Sequence, residues 1–240
     1  MWSITKKELG QFFSSLTAYL AIIVFLVVMG LYLFVLPETN IFSYGYATLE
    51  SFFSISPWVL MIIIPAITMR SLSEEIRGGT IETLVTRPLT KWSIVLGKYF
   101  SVLVILLLIL LPTLFYVYTL QQLSSAAALD TGALLGSYLG LYLLAAVFAA
   151  ISICCSSFTA NAVIAFLLSV VVCLIIYYGF HAISLLPSLQ GSADYYIEML
   201  GIDFHYRSIS RGVMDTRDLI YFFSLIFFSL MTTTIVLHRR

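Results

Sequence analysis

Residues 70–98, RSLSEEIRGGTIETLVTRPLTKWSIVLGK, form the longest polar interruption between two long apolar runs that carries most of its charge as cation. Arg70, Arg77, Arg87, Lys91 and Lys98 stand there against Glu74, Glu75 and Glu82. A loop this short with that many basic residues follows the positive-inside rule and is expected in the cytoplasm. Within it, Gly78 and Gly79 allow a sharp reversal and Thr80 is placed to accept a hydrogen bond as an N-cap. Ile81, Leu84 and Val85 then fall at helical spacing on one face before Pro88 stops the run. The spacing predicts a short amphipathic helix presented to the cytosol.

The runs on either side are hydrocarbon. The chain of 240 residues is 61% hydrophobic and only 10% charged, with a mean hydropathy of +1.04. A soluble domain carries about a quarter of its residues as charges, so this composition predicts a polytopic, all-α membrane protein. The formal net charge of zero says little about partners until the charges are assigned to sides, and the sequence shows no nucleic-acid footprint. Cys154, Cys155 and Cys173 all fall inside apolar runs, where they read as small buried hydrophobes and not as a disulfide framework. The first apolar run is too long for a signal-peptide core and is read as a real span.

Six spans are predicted in a single transmembrane domain over residues 1–240, at about 16–36, 52–69, 99–120, 134–155, 162–180 and 219–237. The first is long enough to cross about 30 Å of apolar layer at about 1.5 Å per residue. Residues 3–15 place Ile4, Leu9, Phe12 and Phe13 along one side with Lys6, Lys7 and Glu8 elsewhere, as in an amphipathic helix lying at the inner surface. Pro57 and Pro65 lie in the second span, with a kink expected near Pro65. The turn SSFTAN makes the fourth and fifth spans an antiparallel hairpin. The outer segment, 181–218, is rich in tyrosine and reads as one or two short helices at the interface. Asp215 is placed to cap the sixth span, with Asp218 in its first turn.

Charge accounting supports this topology. Lys6, Lys7, Arg70, Arg77, Arg87, Lys91, Lys98, Arg239 and Arg240 lie on the proposed inner side, nine of the twelve basic residues, against Arg207, Arg211 and Arg217 outside. Both termini are then cytoplasmic, in an inner membrane.

No Asp, Glu, Lys, Arg or His falls within the six spans as drawn, which argues against an ion-coupled carrier and against an intramembrane enzyme. Ser152, Ser156 and Ser157 have no histidine near them in the sequence to act as base. Gly97-Lys98 does not extend to a phosphate loop, because Trp92 stands where that motif requires glycine and Tyr99 replaces its Ser or Thr. No catalytic, cofactor-binding or metal-ligating residue is predicted. A copper site at Cys154 and Cys155 reads instead as packing, since adjacent residues on a helix face different directions. Gly132, Gly136 and Gly140 recur every four residues, a row that lets helices approach closely, either within the chain or between subunits. On the residues alone, the 70–98 loop reads equally as a positive-inside tether and as a docking element.

The order Glu74, Glu75, Arg77, Gly78, Gly79, Thr80, Ile81, Glu82, Thr83, Leu84, Arg87, Pro88, Lys91, Trp92, Gly97, Lys98 resembles the first cytoplasmic loop of ABC-2 type permeases. The resemblance extends to span number and length over nearly the whole chain. It implies that the loop forms a coupling helix seated in a groove of a nucleotide-binding subunit, with Glu74, Glu75, Arg77, Gly78 to Glu82, Leu84, Val85, Arg87 and Pro88 as docking residues. It further implies two ATPase subunits that hold ATP and Mg, and a second permease that is heterologous rather than identical. The stretch FHYRSISRGVMDTRD, residues 204–218, is similar to the gliding-motility-associated permease subunit (GldF-type) and implies a place in that complex. The alternative is a non-transporting membrane anchor or scaffold that uses the same loop to dock a cytosolic ATPase.

Overall fold

The computed structural model describes residues 1–36, 49–79, 90–123, 131–187, 191, 194–212 and 215–239. Among them every regular element is a helix, and six helices are long and apolar enough to cross a membrane. A short surface helix comes first, α1, Trp2–Ser14, and two residues beyond it Leu16 adopts the left-handed conformation with φ of 59°. That residue turns the chain sharply into the first span, α2, Thr17–Phe34. Ser15 and Thr17 both donate to the Phe12 carbonyl and so satisfy an acceptor that the end of α1 leaves open.

The second span, α3, Glu50–Thr68, stays helical through Pro57 and Pro65. The interruption falls at Met69, and the chain then continues as α4, Arg70–Arg77, in place of the loop expected from residue 70. Ser156, from the fourth span, holds this joint. Its hydroxyl accepts from the Leu72 and Ser73 amides at 3.1 Å each and donates to the Met69 carbonyl at 3.0 Å. It thereby serves backbone groups that a break in a helix would leave unpaired.

The third span begins earlier than the apolar run suggested. Helix α5, Lys91–Leu110, is capped by Thr90, whose hydroxyl accepts from the Ser93 amide. Pro112 removes a backbone donor, and the helix tightens there into a 3₁₀ turn, Leu111–Thr113, before α6, Leu114–Leu123. The polar interruption between the second and third spans therefore shortens from residues 70–98 to residues 78–90, and Lys98 lies inside a helix.

The fourth span, α7, Thr131–Phe158, is the centre of the bundle. Its 18-residue apolar window is 89% buried, against 22% to 61% for the other five. Glycine, alanine and serine at Gly136, Gly140, Ala145, Ala146, Ala149, Ala150, Ser152, Ser156 and Ser157 make it slender enough to be surrounded. Ser156 and Ser157 are helical and buried, so the turn to the fifth span is shorter than SSFTAN. Asn161 opens that span by accepting from the Val163 amide. Helix α8, Ala162–Leu174, continues through a π-helical turn, Ile175–Gly179, into α9, Phe180–Ser184.

Two short helices follow, α10, Asp194–Glu198, and α11, Ile202–Ser210. The second packs into the bundle. Ile202, Asp203, His205, Tyr206 and Ile209 are buried, and the Tyr206 hydroxyl donates to the Phe53 carbonyl of α3 at 2.7 Å. The last span, α12, Thr216–Arg239, starts where Asp215 accepts from the Arg217 amide. That hydrogen bond holds the Asp215 carboxyl below its ordinary range.

Candidate functional site: the basic end of the bundle

The site starts from Gly97 and Lys98, adjacent residues on α5 with complementary tasks. A Cβ on Gly97 would lie 2.9 Å from the Ile4 side chain, so only glycine lets α1 lie this close. Thr5 of α1 then donates to the Gly97 carbonyl at 3.1 Å. One residue on, the Lys98 ammonium is 2% exposed and donates to Glu8 Oε1 at 2.9 Å, Glu75 Oε1 at 2.9 Å and the Ser71 carbonyl at 2.7 Å. All three of its donors are used. Helices α1, α4 and α5 are thus tied at one atom, by contacts 90, 27 and 23 residues apart in sequence.

This corrects two expectations. The helix that carries the third span holds an ionisable residue after all, buried with two carboxylates at its polar end. And α1 buries Thr5 and Glu8, while Ile4, Leu9, Phe12 and Phe13 of the apolar side are only half-buried. A charge triad out of water is stable only when its members are paired and hydrogen-bonded, as they are here.

Of the expected docking residues, Glu74 is exposed and pairs with Arg70 at 3.4 Å, Glu75 turns inward to Lys98, and Arg77 is exposed in the last turn of α4. Gly78 donates to the Glu74 carbonyl, and Gly79, at φ of 66°, reverses the chain. Thr80, Ile81, Glu82, Leu84, Val85, Arg87 and Pro88 lie outside the described residues. On the far flank of that segment, Lys91 donates to the Leu237 carbonyl near the end of α12 at 2.9 Å, where a cation suits the helix terminus. The two arms of the loop are therefore both anchored, α4 through Ser156 and Lys98, α5 through Glu8 and Leu237.

The glycine row lies at the other end of α7. Gly132 is in its first turn. A Cβ on Gly136 would meet Gly212 at 3.3 Å, and one on Gly140 would run into the Ile209 side chain. A Cβ on Gly212, whose φ is 84°, would in turn lie 2.5 Å from the Ala133 Cα. Close by, His205 sits between Asp218 Oδ1, 2.7 Å from Nδ1, and the Met199 carbonyl, 2.9 Å from Nε2. Glu198 receives His181 and Arg207, and Arg207 also binds Asp203. Burial alone would lower the Arg207 guanidinium's proton affinity, but the hydrogen bond and charge of Asp203, with Glu198, raise it. Burial pushes the Tyr206 hydroxyl up. Neither Ser156 nor the His205–Asp218 pair was singled out as an internal contact in the sequence; their partners lie on other helices. Among the described residues no group of three or more His, Cys, Asp or Glu comes together to hold a metal.

Five apolar spans around a slender sixth, with a polar segment rooted in a charged brace, define a polytopic permease. The chain belongs to the ABC-2 family transporter proteins, whose family pattern matches residues 2–237. It is thus the transmembrane component of an ABC transporter, and membership implies an ABC ATPase as partner. No curated protein matches the chain.

Proposed function

We propose that residues 78–90 pass the work of ATP hydrolysis from a separate ATPase subunit into the bundle. The observation that carries this reading is the brace: Lys98 joins Glu75, the Ser71 carbonyl and Glu8, so a push on the segment between α4 and α5 reaches both arms and α1 together. A displacement of packed helices as rigid units is the ordinary way such a push travels. Ile81, Leu84 and Val85 form the apolar face that fills the ATPase groove, with ATP and Mg held by the ATPase. The membrane is the inner membrane, with both termini cytoplasmic, on the strength of the basic residues.

A second permease, heterologous rather than identical, completes the channel or lever. The likeness of residues 204–218 to the gliding-motility-associated permease favours a place in that complex, moving a substrate or delivering mechanical work. Reconstituting the chain with its ATPase and second permease tests this. The hydrolysis rate changes on assembly if the chain is a coupled permease; binding with an unaltered rate marks a scaffold.

A further inference from the structure

Pro57 stands inside α3 and has no backbone N–H, so the carbonyl four residues earlier, that of Phe53, loses its helical donor. A carbonyl left open inside an apolar bundle is costly. Here the donor comes from outside the helix. The Tyr206 hydroxyl of α11, on a side chain only 3% exposed, donates to the Phe53 oxygen at 2.7 Å. Tyr206 thus takes the place of the amide that proline lacks.

The two sides of Pro57 are held differently. On the outer side, the Phe52 ring lies 6.5 Å from Phe25 of α2, 6.3 Å from Tyr116 of α6 and 5.8 Å from Tyr138 of α7, so the start of α3 is packed against three other spans. On the inner side, α3 runs through Met69 into α4, which leads to residues 78–90 and is tied to Lys98 through the Ser71 carbonyl. Helix α11 is fixed independently of α3. The Ser137 hydroxyl of α7 donates to the Ser210 carbonyl at 2.8 Å, and His205 meets Asp218 of α12 at 2.7 Å.

We infer that Pro57 is a pivot in the second span and that Tyr206 is the catch that holds it. With the hydrogen bond made, α3 behaves as one rod and passes a displacement of α4 on to α11 at the other end of the bundle. With the bond broken, the inner part of α3 bends about Pro57 while the outer part stays among its rings. Proline is a principal cause of sharp bends in helices, and hinge motion is absorbed at a few residues of this kind. The pivot and its catch belong to this chain alone; only the source of the push rests on the reading of residues 78–90, and the test leaves the ATPase out.

Hydrogen exchange of the full chain in detergent tests this with Tyr206→Phe, Pro57→Ala and the double variant. Tyr206→Phe removes the hydroxyl and keeps the ring. Exchange should then rise about fivefold or more at the amides of residues 58–61, whose helical acceptors lie one turn back across the pivot, and stay unchanged in α12. Pro57→Ala supplies Phe53 with a helical amide, so adding Tyr206→Phe to it should raise exchange there by less than about twofold, because the two changes act on one carbonyl. A rise of the same size in both backgrounds overturns the proposal. So does no rise in Tyr206→Phe, or a rise spread evenly over the bundle, which marks a general loosening and not a pivot. Should Pro57→Ala fail to assemble, the location of the rise in Tyr206→Phe decides alone, and a rise that leaves out residues 58–61 contradicts the pivot.

Discussion

At the scale of the residue, Lys98 separates a buried charge from a surface one. Removing its ammonium leaves Glu8 and Glu75 facing each other out of water, and breaking a buried pair of this kind costs about 3–5 kcal/mol. The Arg70–Glu74 pair, at 58% and 59% exposure, contributes no more than about 1 kcal/mol. Thermal unfolding of the detergent-solubilised chain should therefore show a large loss for Lys98→Ala and almost none for Glu74→Gln; similar small losses would mean that the brace is open in solution. The sequence marks Lys98 as a basic flank of an apolar run, and so it reads as a loop residue. What it does not display is Glu8, since a lysine at a helix end and a glutamate 90 residues earlier carry no mutual signal until α1 folds back over Gly97.

At the scale of the element, the six apolar runs were legible because hydrocarbon demands long stretches without charge. Their ends were not, because a helix outlasts its apolar stretch wherever a partner satisfies its polar groups. Ser156 lets α4 follow α3, and Glu8 lets α5 begin at Lys91 and carry a charge into the bundle. The burial of α11 was hidden for a similar reason: its one tyrosine suits an interface, but the Tyr206 hydroxyl finds an internal acceptor, the Phe53 carbonyl. The glycines of α7 provide a test with opposite signs. Gly140→Ala drives a methyl into Ile209 of α11 and should cost about 1–3 kcal/mol by overpacking. Gly10→Ala, with nothing within 4 Å, should instead stabilise α1 by up to about 1 kcal/mol through helix propensity. Unfolding measurements that gave both changes the same sign would contradict the packing of α7 on α11.

At the scale of the whole molecule, the charge asymmetry and the bundle lead to one topology. Lys91 reaches the end of α12 and Lys98 reaches α1, so these two inner cations lie at one end of the bundle, while α11 packs near the start of α7 at the other. Cysteine in place of the exposed Thr90 should react only with reagents that reach the cytoplasm, and cysteine in place of Tyr196, 70% exposed, only from outside. Labelling of both from one side would refute the arrangement. Ser73, although within the polar stretch, is fully buried and would not report. If the segment between α4 and α5 is the handle by which an ATPase drives the bundle, changes in it register in co-purification with the ATPase subunit. Truncating Leu84 to Ala removes an apolar side chain worth about 1.5–3 kcal/mol when buried, roughly tenfold or more in affinity. The account predicts that Leu84→Ala weakens co-purification and that the double change of Ile81 and Val85 to Ala weakens it too, with membrane insertion unchanged; full co-purification of both variants would contradict it.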